Sequence, residues 1–306
     1  MIAVFGIEPE VMAHWPQFQS LYEDFSVEQR RLIARYPKKW KALVCERARE
    51  LVKLGHNKEI QVQRMVERLA CDASRFKFCK EPCADYGPDR DWLTNAVEHL
   101  PAFDAIVTAH AGSAEPRALA ADELLKHEPP YHREREMVIA RTAAAIVGTV
   151  KRLLPNAKEI VLVEPHFNPA EPRFLRPLVR LIETVQARGA APQRIELHCV
   201  KPDHFRPEIQ ERNYRNAVLA DLPSGWMLDV CFWAETTPED AQHPRFILTD
   251  LGGVRIDWGL DEGSVGSTTI ASGVSATLFA ELFARYAATN PHFTTNPANA
   301  RLTLLG

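Results

Sequence analysis

At 306 residues, with 46% hydrophobic and 25% charged side chains, the chain has the composition of a globular protein long enough for two domains. No apolar run approaches the roughly eighteen residues that cross a bilayer, and the first residues lack a basic stretch and a cleavage site. Neither a membrane partner nor a secretory leader is therefore expected, and six cysteines read as reduced thiols of a cytoplasmic protein.

The formal net charge of −3 hides an asymmetry. Residues 30–80 hold fifteen Lys and Arg against five acids, a net of +10, which leaves about −13 for the rest. Apolar residues at three- and four-residue spacing predict helices over 9–24, 26–35, 38–54 and 57–70, with Ser26 as a cap for the second. Residues 1–100 thus read as a basic, all-helical N-terminal domain. Within it, Arg30, Arg31, Arg35, Lys38, Lys39 and Lys41 offer cations for phosphate, with Trp40 or Tyr36 to stack on bases. The same surface could instead face a protein partner, the acidic remainder of the chain, or solvent alone. Cys71, Cys79 and Cys83, with His56 upstream, lack the paired Cys-x-x-Cys spacing of a zinc site, so no metal is expected.

From residue 101 the pattern changes to strands alternating with helices. A strand over 103–109 ends at His110, which reads as a loop or edge residue. Helices over 118–127 and 132–154 are expected next, then a buried strand over 159–164 that stops at Glu164-Pro165-His166. Glu164 and His166 could line a cleft at that strand end; alternatively the proline ends the strand and Phe167 plugs the core. A helix over 173–188 carries Arg173, Arg176 and Arg180, facing either phosphate or neighbouring acids. A strand over 194–200, a helix over 206–219 and a strand over 226–233 follow. Phe246–Leu248 and Val254–Trp258 then form a hairpin whose turn is assigned to Leu251-Gly252-Gly253. A helix over 274–287 closes the domain, and the tail from residue 289 reads as loosely packed.

The hairpin carries the pattern that points to chemistry. His243, Arg245 and Asp250 stand in the spacing His-x-Arg-x-x-x-x-Asp, one residue from the His-x-Lys-x-x-x-x-Asp of the phospholipase D superfamily. A His nitrogen can take a phosphoryl group, a cation two residues along the strand can stabilise its oxygens, and an acid can fix the imidazole tautomer. A solvated hairpin is the plain alternative. The run through Asp250-x-Gly252, Ile256, Gly259-Leu260-Asp261 and Thr268-Thr269 resembles the phospholipase D-like C-terminal domain of proteins with a microtubule-interacting and trafficking (MIT) domain. That resemblance covers about residues 155–290. It implies an α/β domain over 101–306, a phospholipase D-like mixed sheet flanked by helices, in which the hydrolase site has been lost. Two departures agree with loss: Arg245 stands where active enzymes have Lys, and Gly259-Leu260-Asp261-Glu262 where they have Gly-Ser-x-Asn.

The expected protein is a non-catalytic phospholipase D-like module whose basic head binds nucleic acid or another polyanion, without a cofactor. Its expected setting is a larger prokaryotic assembly, such as a defence or mobile-element system. The alternative is a metal-independent phosphodiesterase or nuclease with His243 as nucleophile. Because one copy of the motif supplies only one His, that version requires a homodimer.

Overall fold

The computed structural model describes residues 2–71, 75–77, 90–109, 115–122, 124, 131, 134–187, 189, 191–235, 245–286 and 289–306. These fall into two compact units, Met1–Glu134 and Arg135–Gly306. The expected boundary at residue 100 lies inside the first.

The first unit is α/β, not all-helical. It contains β1 (Ala3–Ile7), α1 (Pro9–Ala13), α2 (Trp15–Asp24), β2 (Arg31–Ala34), α3 (Trp40–Lys53), α4 (Glu59–Cys71), β3 (Phe76–Lys77), α5 (Trp92–Glu98), β4 (Ala105–Thr108) and β5 (Ala118–Ala120). The strands are parallel and ordered β3-β2-β1-β4-β5. Central strands buried on both faces read as short apolar runs, and β1 and β2 are buried at every position. The helix expected over 26–35 is therefore β2. Ser26 does accept the Gln29 amide, at 3.1 Å, but the bond closes only a single turn. The expected helix over 118–127 begins instead as strand β5, which follows β4 in parallel.

The second unit contains β6 (Glu136–Ala140), α6 (Ala143–Gly148), β7 (Glu159–Val163), α7 (Pro172–Gln186), β8 (Arg194–Val200), α8 (Pro207–Val218), β9 (Met227–Trp233), β10 (Phe246–Thr249), β11 (Gly252–Ile256), β12 (Thr268–Gly273), α9 (Ala276–Arg285), α10 (Pro291–Thr294) and β13 (Ala300–Leu305). They form one mixed sheet in the order β13-β9-β8-β7-β10-β11-β12-β6. β7, β8 and β9 are parallel, and the remaining pairs are antiparallel.

Three expectations change here. The long helix over 132–154 gives way to β6, laid along β12, and the short helix α6, whose cap Thr142 accepts the Ala145 amide at 3.3 Å. The tail is not loose, because β13 pairs with β9 along its length. In the hairpin, Thr249 pairs with Gly252, so Asp250 and Leu251 make the turn and both glycines belong to β11.

Several polar groups buried in this sheet find partners on neighbouring strands. The Trp233 indole donates to His198 Nδ1 at 2.9 Å, which leaves Nε2 to donate to Glu196 at 3.2 Å. Asp229 is held by Arg301 and by the Thr303 hydroxyl across the β9–β13 pair.

In the first unit, Trp40 is fully buried and its indole N–H donates to the Ile7 carbonyl at 2.6 Å. Trp40→Ala is expected to cost about 3–5 kcal/mol in chemical denaturation. Lys38→Ala and Lys39→Ala, at exposed positions, are expected to stay within about 0.5 kcal/mol of the parent.

Candidate nucleic-acid interface

The residues expected to bind nucleic acid in the first unit are mostly structural. Arg31 is buried in β2, donates to the Asp24 and Tyr131 carbonyls at 2.9 and 3.0 Å, and lies over the Tyr131 ring. Arg30 is buried with a positive φ of 55°, and Arg35 is half-buried. Lys41 binds the Leu69 carbonyl and covers the Phe76 ring. Tyr36 and Trp40 are buried, so neither can stack on a base. Of the seven, Lys38 and Lys39 remain exposed, with no ion pair to a described residue. A separate cleft of about 290 Å³ opens where β1 ends, lined by Glu8, Glu10, Arg47 and Trp92, and Glu10 already grips the Arg47 guanidinium at 2.5 and 3.2 Å.

In the second unit the hairpin motif separates along its strands. His243 lies outside the described residues. Antiparallel pairing sets Phe246 opposite Val163, which brings Arg245 to the carboxyl end of β7 beside Glu164. Asp250 goes to the other end, where its carboxylate accepts the Lys158 and Glu159 amides at 2.7 and 3.2 Å. A strand rises about 3.3 Å per residue, so five residues put roughly 16 Å between Arg245 and Asp250. Asp250 therefore caps the start of β7, at the opposite end of β10 from Arg245.

What gathers at the end of β7 is a different set. Glu164 is 1% exposed and accepts the His166 amide at 3.2 Å and the Leu260 amide at 2.7 Å, with Arg245 Nε 3.8 Å away. Burial raises its carboxyl above the ordinary range, against the pull of the two amides and the guanidinium. A cavity of about 20 Å³ beneath it, lined by Leu162, Phe167, Phe174, Pro177 and Leu260, has room for one water. The His166 side chain is exposed. Its contribution to the site is the backbone amide.

The segment from Trp258 to Glu262 is fixed against α7 and α6 by unlike bonds. Pro177 lacks an N–H, so the Arg173 carbonyl one turn earlier has no helical donor, and Glu262 N–H takes it at 3.0 Å. Asp261, 4% exposed, sits between Arg141 at 2.6 Å and Arg173 at 3.0 Å. Glu262 pairs with Arg176 at 2.9 Å and accepts the Ala143 amide at the start of α6. Arg180 pairs with Glu183 on its own helix. At Gly259 φ is +131°, and an added Cβ would lie 2.5 Å from Asp261 Oδ1 and 3.3 Å from Glu164 Oε2. Only glycine fits there.

Trp258 heads this segment. Its amide donates to the Thr269 hydroxyl at 3.2 Å, yet its side chain is 69% exposed. In the sequence it reads as one more strand residue, because alternation alone does not show that β11 ends at Ile256. The outcome is an exposed indole at the head of the loop whose Asp261 and Glu262 hold Arg141, Arg173 and Arg176. Guanidinium forks suit phosphate oxygens as they suit carboxylates, and an indole face suits a base.

No protein-family model and no curated protein matches the chain. Among solved structures, TrmBL2, described as an archaeal chromatin protein with a novel mode of DNA binding, aligns over 89% of this chain and 79% of its own at 12% identity, with a TM-score of 0.26. A score of that size does not make the two folds alike. Among the described residues no group of His, Cys, Asp and Glu could hold a metal ion; Cys79 and Cys83 lie outside them, as does His110.

Glu164 gives the site a pH signature. Because its folded pKa lies above the ordinary 4.5, its contribution to stability is complete below that value and is lost as pH climbs through the folded pKa. Unfolding free energies of the parent and of Glu164→Gln, compared from pH 4 to pH 8, are expected to shift against the parent as pH rises. A difference flat with pH would refute this. Gly259→Ala is expected to lower stability by about 1–3 kcal/mol through strain alone.

Proposed function

We propose that the second unit is a phospholipase D-like module that binds single-stranded nucleic acid at the end of β7 without hydrolysing it. The observation that carries this reading is Trp258. Trp258 is 69% exposed and opens the loop whose Asp261 and Glu262 hold Arg141, Arg173 and Arg176, and in this reading its indole stacks on a base while the exposed guanidinium groups hold phosphates. The arginines now rest on Asp261, Glu262 and Glu164. Arg176 and Arg173 are at least half exposed, so both guanidinium groups are open to phosphate while Asp261 keeps Arg141 as its partner.

Two features favour binding over turnover. Arg245 presents a planar fork, where a catalytic lysine would present a compact point charge. Asp250 is committed to the amides at the far end of β7, so the third member of a triad is missing from this end.

The test is a gel-shift series with labelled single- and double-stranded DNA and RNA of mixed sequence, with chelator present. The parent is expected to shift single strands without cutting them. Trp258→Ala should weaken binding about 5- to 150-fold, the range of one stacked base. Arg173→Ala with Arg176→Ala should flatten the salt slope by about 0.7 for each phosphate no longer neutralised. Single-strand binding indifferent to all three changes would sink the proposal. Cleavage abolished in His243→Ala would replace it with the phosphodiesterase reading.

A further inference from the structure

We infer that the first unit associates with a second copy of itself through the groove between α3 and α4. The two helices are joined by a five-residue connection and enclose an open groove of about 610 Å³. Val52, Val62 and Val66 form its floor. Its rims are of opposite sign, with Arg49 and Lys53 on α3 and Glu59 and Glu67 on α4. None of these four makes an ion pair within the described chain. Glu67 accepts only a hydrogen bond from Gln63, at 3.2 Å, on its own helix.

That charge arrangement is self-complementary. A two-fold rotation about an axis along the groove lays α3 of one copy on α4 of the other, twice over. Each Arg49 and Lys53 rim then meets a Glu59 and Glu67 rim, while the valines of both copies face one another. The product is a four-helix arrangement with an apolar centre and a charged border, the usual anatomy of a protein interface. Opposite charges on facing rims also select this register over one that sets like against like. A nucleic acid strand fits the groove less well than a second copy does, because Glu59 and Glu67 on the α4 rim would face its phosphates.

The test uses the full chain in sedimentation equilibrium. The parent is expected to dimerise, and two charge-reversed variants, Arg49→Glu with Lys53→Glu and Glu59→Lys with Glu67→Lys, are each expected to be monomeric. Mixed in equal amounts, the two variants should form a heterodimer, since each then meets rims of the opposite sign. Recovery on mixing also shows that both variants fold. A parent that is monomeric at 100 micromolar overturns the inference. So does a dimer that survives both reversals, or variants that stay apart when mixed.

Discussion

The site at the end of β7 depends on a hydrogen bond that α7 cannot make for itself. A proline inside a helix costs a donor, and the carbonyl one turn back must find another partner or remain unsatisfied. In α7 that carbonyl is Arg173's and the partner is Glu262 N–H. One ordinary amide bond, worth about 0.5–1.5 kcal/mol, thereby fixes the distance between a helix and a loop that are far apart in sequence. With Glu262 in place, Asp261 falls between two guanidinium groups, Leu260 N–H reaches Glu164, and Gly259 takes a backbone angle closed to other residues. Trp258 is left facing outward by the same geometry. The interior proline that weakens α7 is what locates the loop.

Most parts of the fold legible in the sequence were those whose partners are close along the chain, with β4, which pairs with β1 about 100 residues upstream, as the exception. β7, α7, β8, α8 and β9 follow one another with clean periodicity, and the β10–β11 pair is local. β2, β5, β6 and β13 were not legible, because what makes each a strand lies elsewhere. Arg31 reads as a helix-surface cation until Tyr131 is set beside its guanidinium. Val138 and Ile139 fit a helix stripe as well as a strand until β12 is there to pair with them. Arg245 and Asp250 part for a related reason. His-x-Arg-x-x-x-x-Asp fixes positions on a string, whereas an extended strand carries the last residue to the opposite edge of the sheet.

The charge count behaved similarly. The excess of +10 over residues 30–80 is a property of the sequence, but availability is a property of each side chain. Arg31 and Lys41 spend their charge on backbone carbonyls and aromatic rings, and Arg47 spends its charge on Glu10 and Glu50. In the second unit, by contrast, Arg141 and Arg173 meet at Asp261, with Arg176 on the adjacent Glu262, because the start of α6, α7 and the loop after β11 come together there. Trp40 and Trp258 exchange their expected roles by the same rule: the indole with a carbonyl to bind went inside, and the indole at the end of a strand stayed out.

The edge strand β6 is nearly the first element of the second unit, and its partner β12 is nearly the last. Ile139 pairs with Thr269, about 130 residues downstream. At synthesis rates of about 5–20 residues per second, β6 leaves the ribosome roughly 7–26 s before the strand that covers it is made. During that time β6 presents an unpaired backbone to whatever is nearby, with Met137 and Ile139 on the face that the fold later covers. The flanking Arg135, Glu136 and Arg141 are then the local protection against premature pairing. The order of elements in this sheet thus makes the birth of the chain, more than its finished state, the moment of greatest exposure.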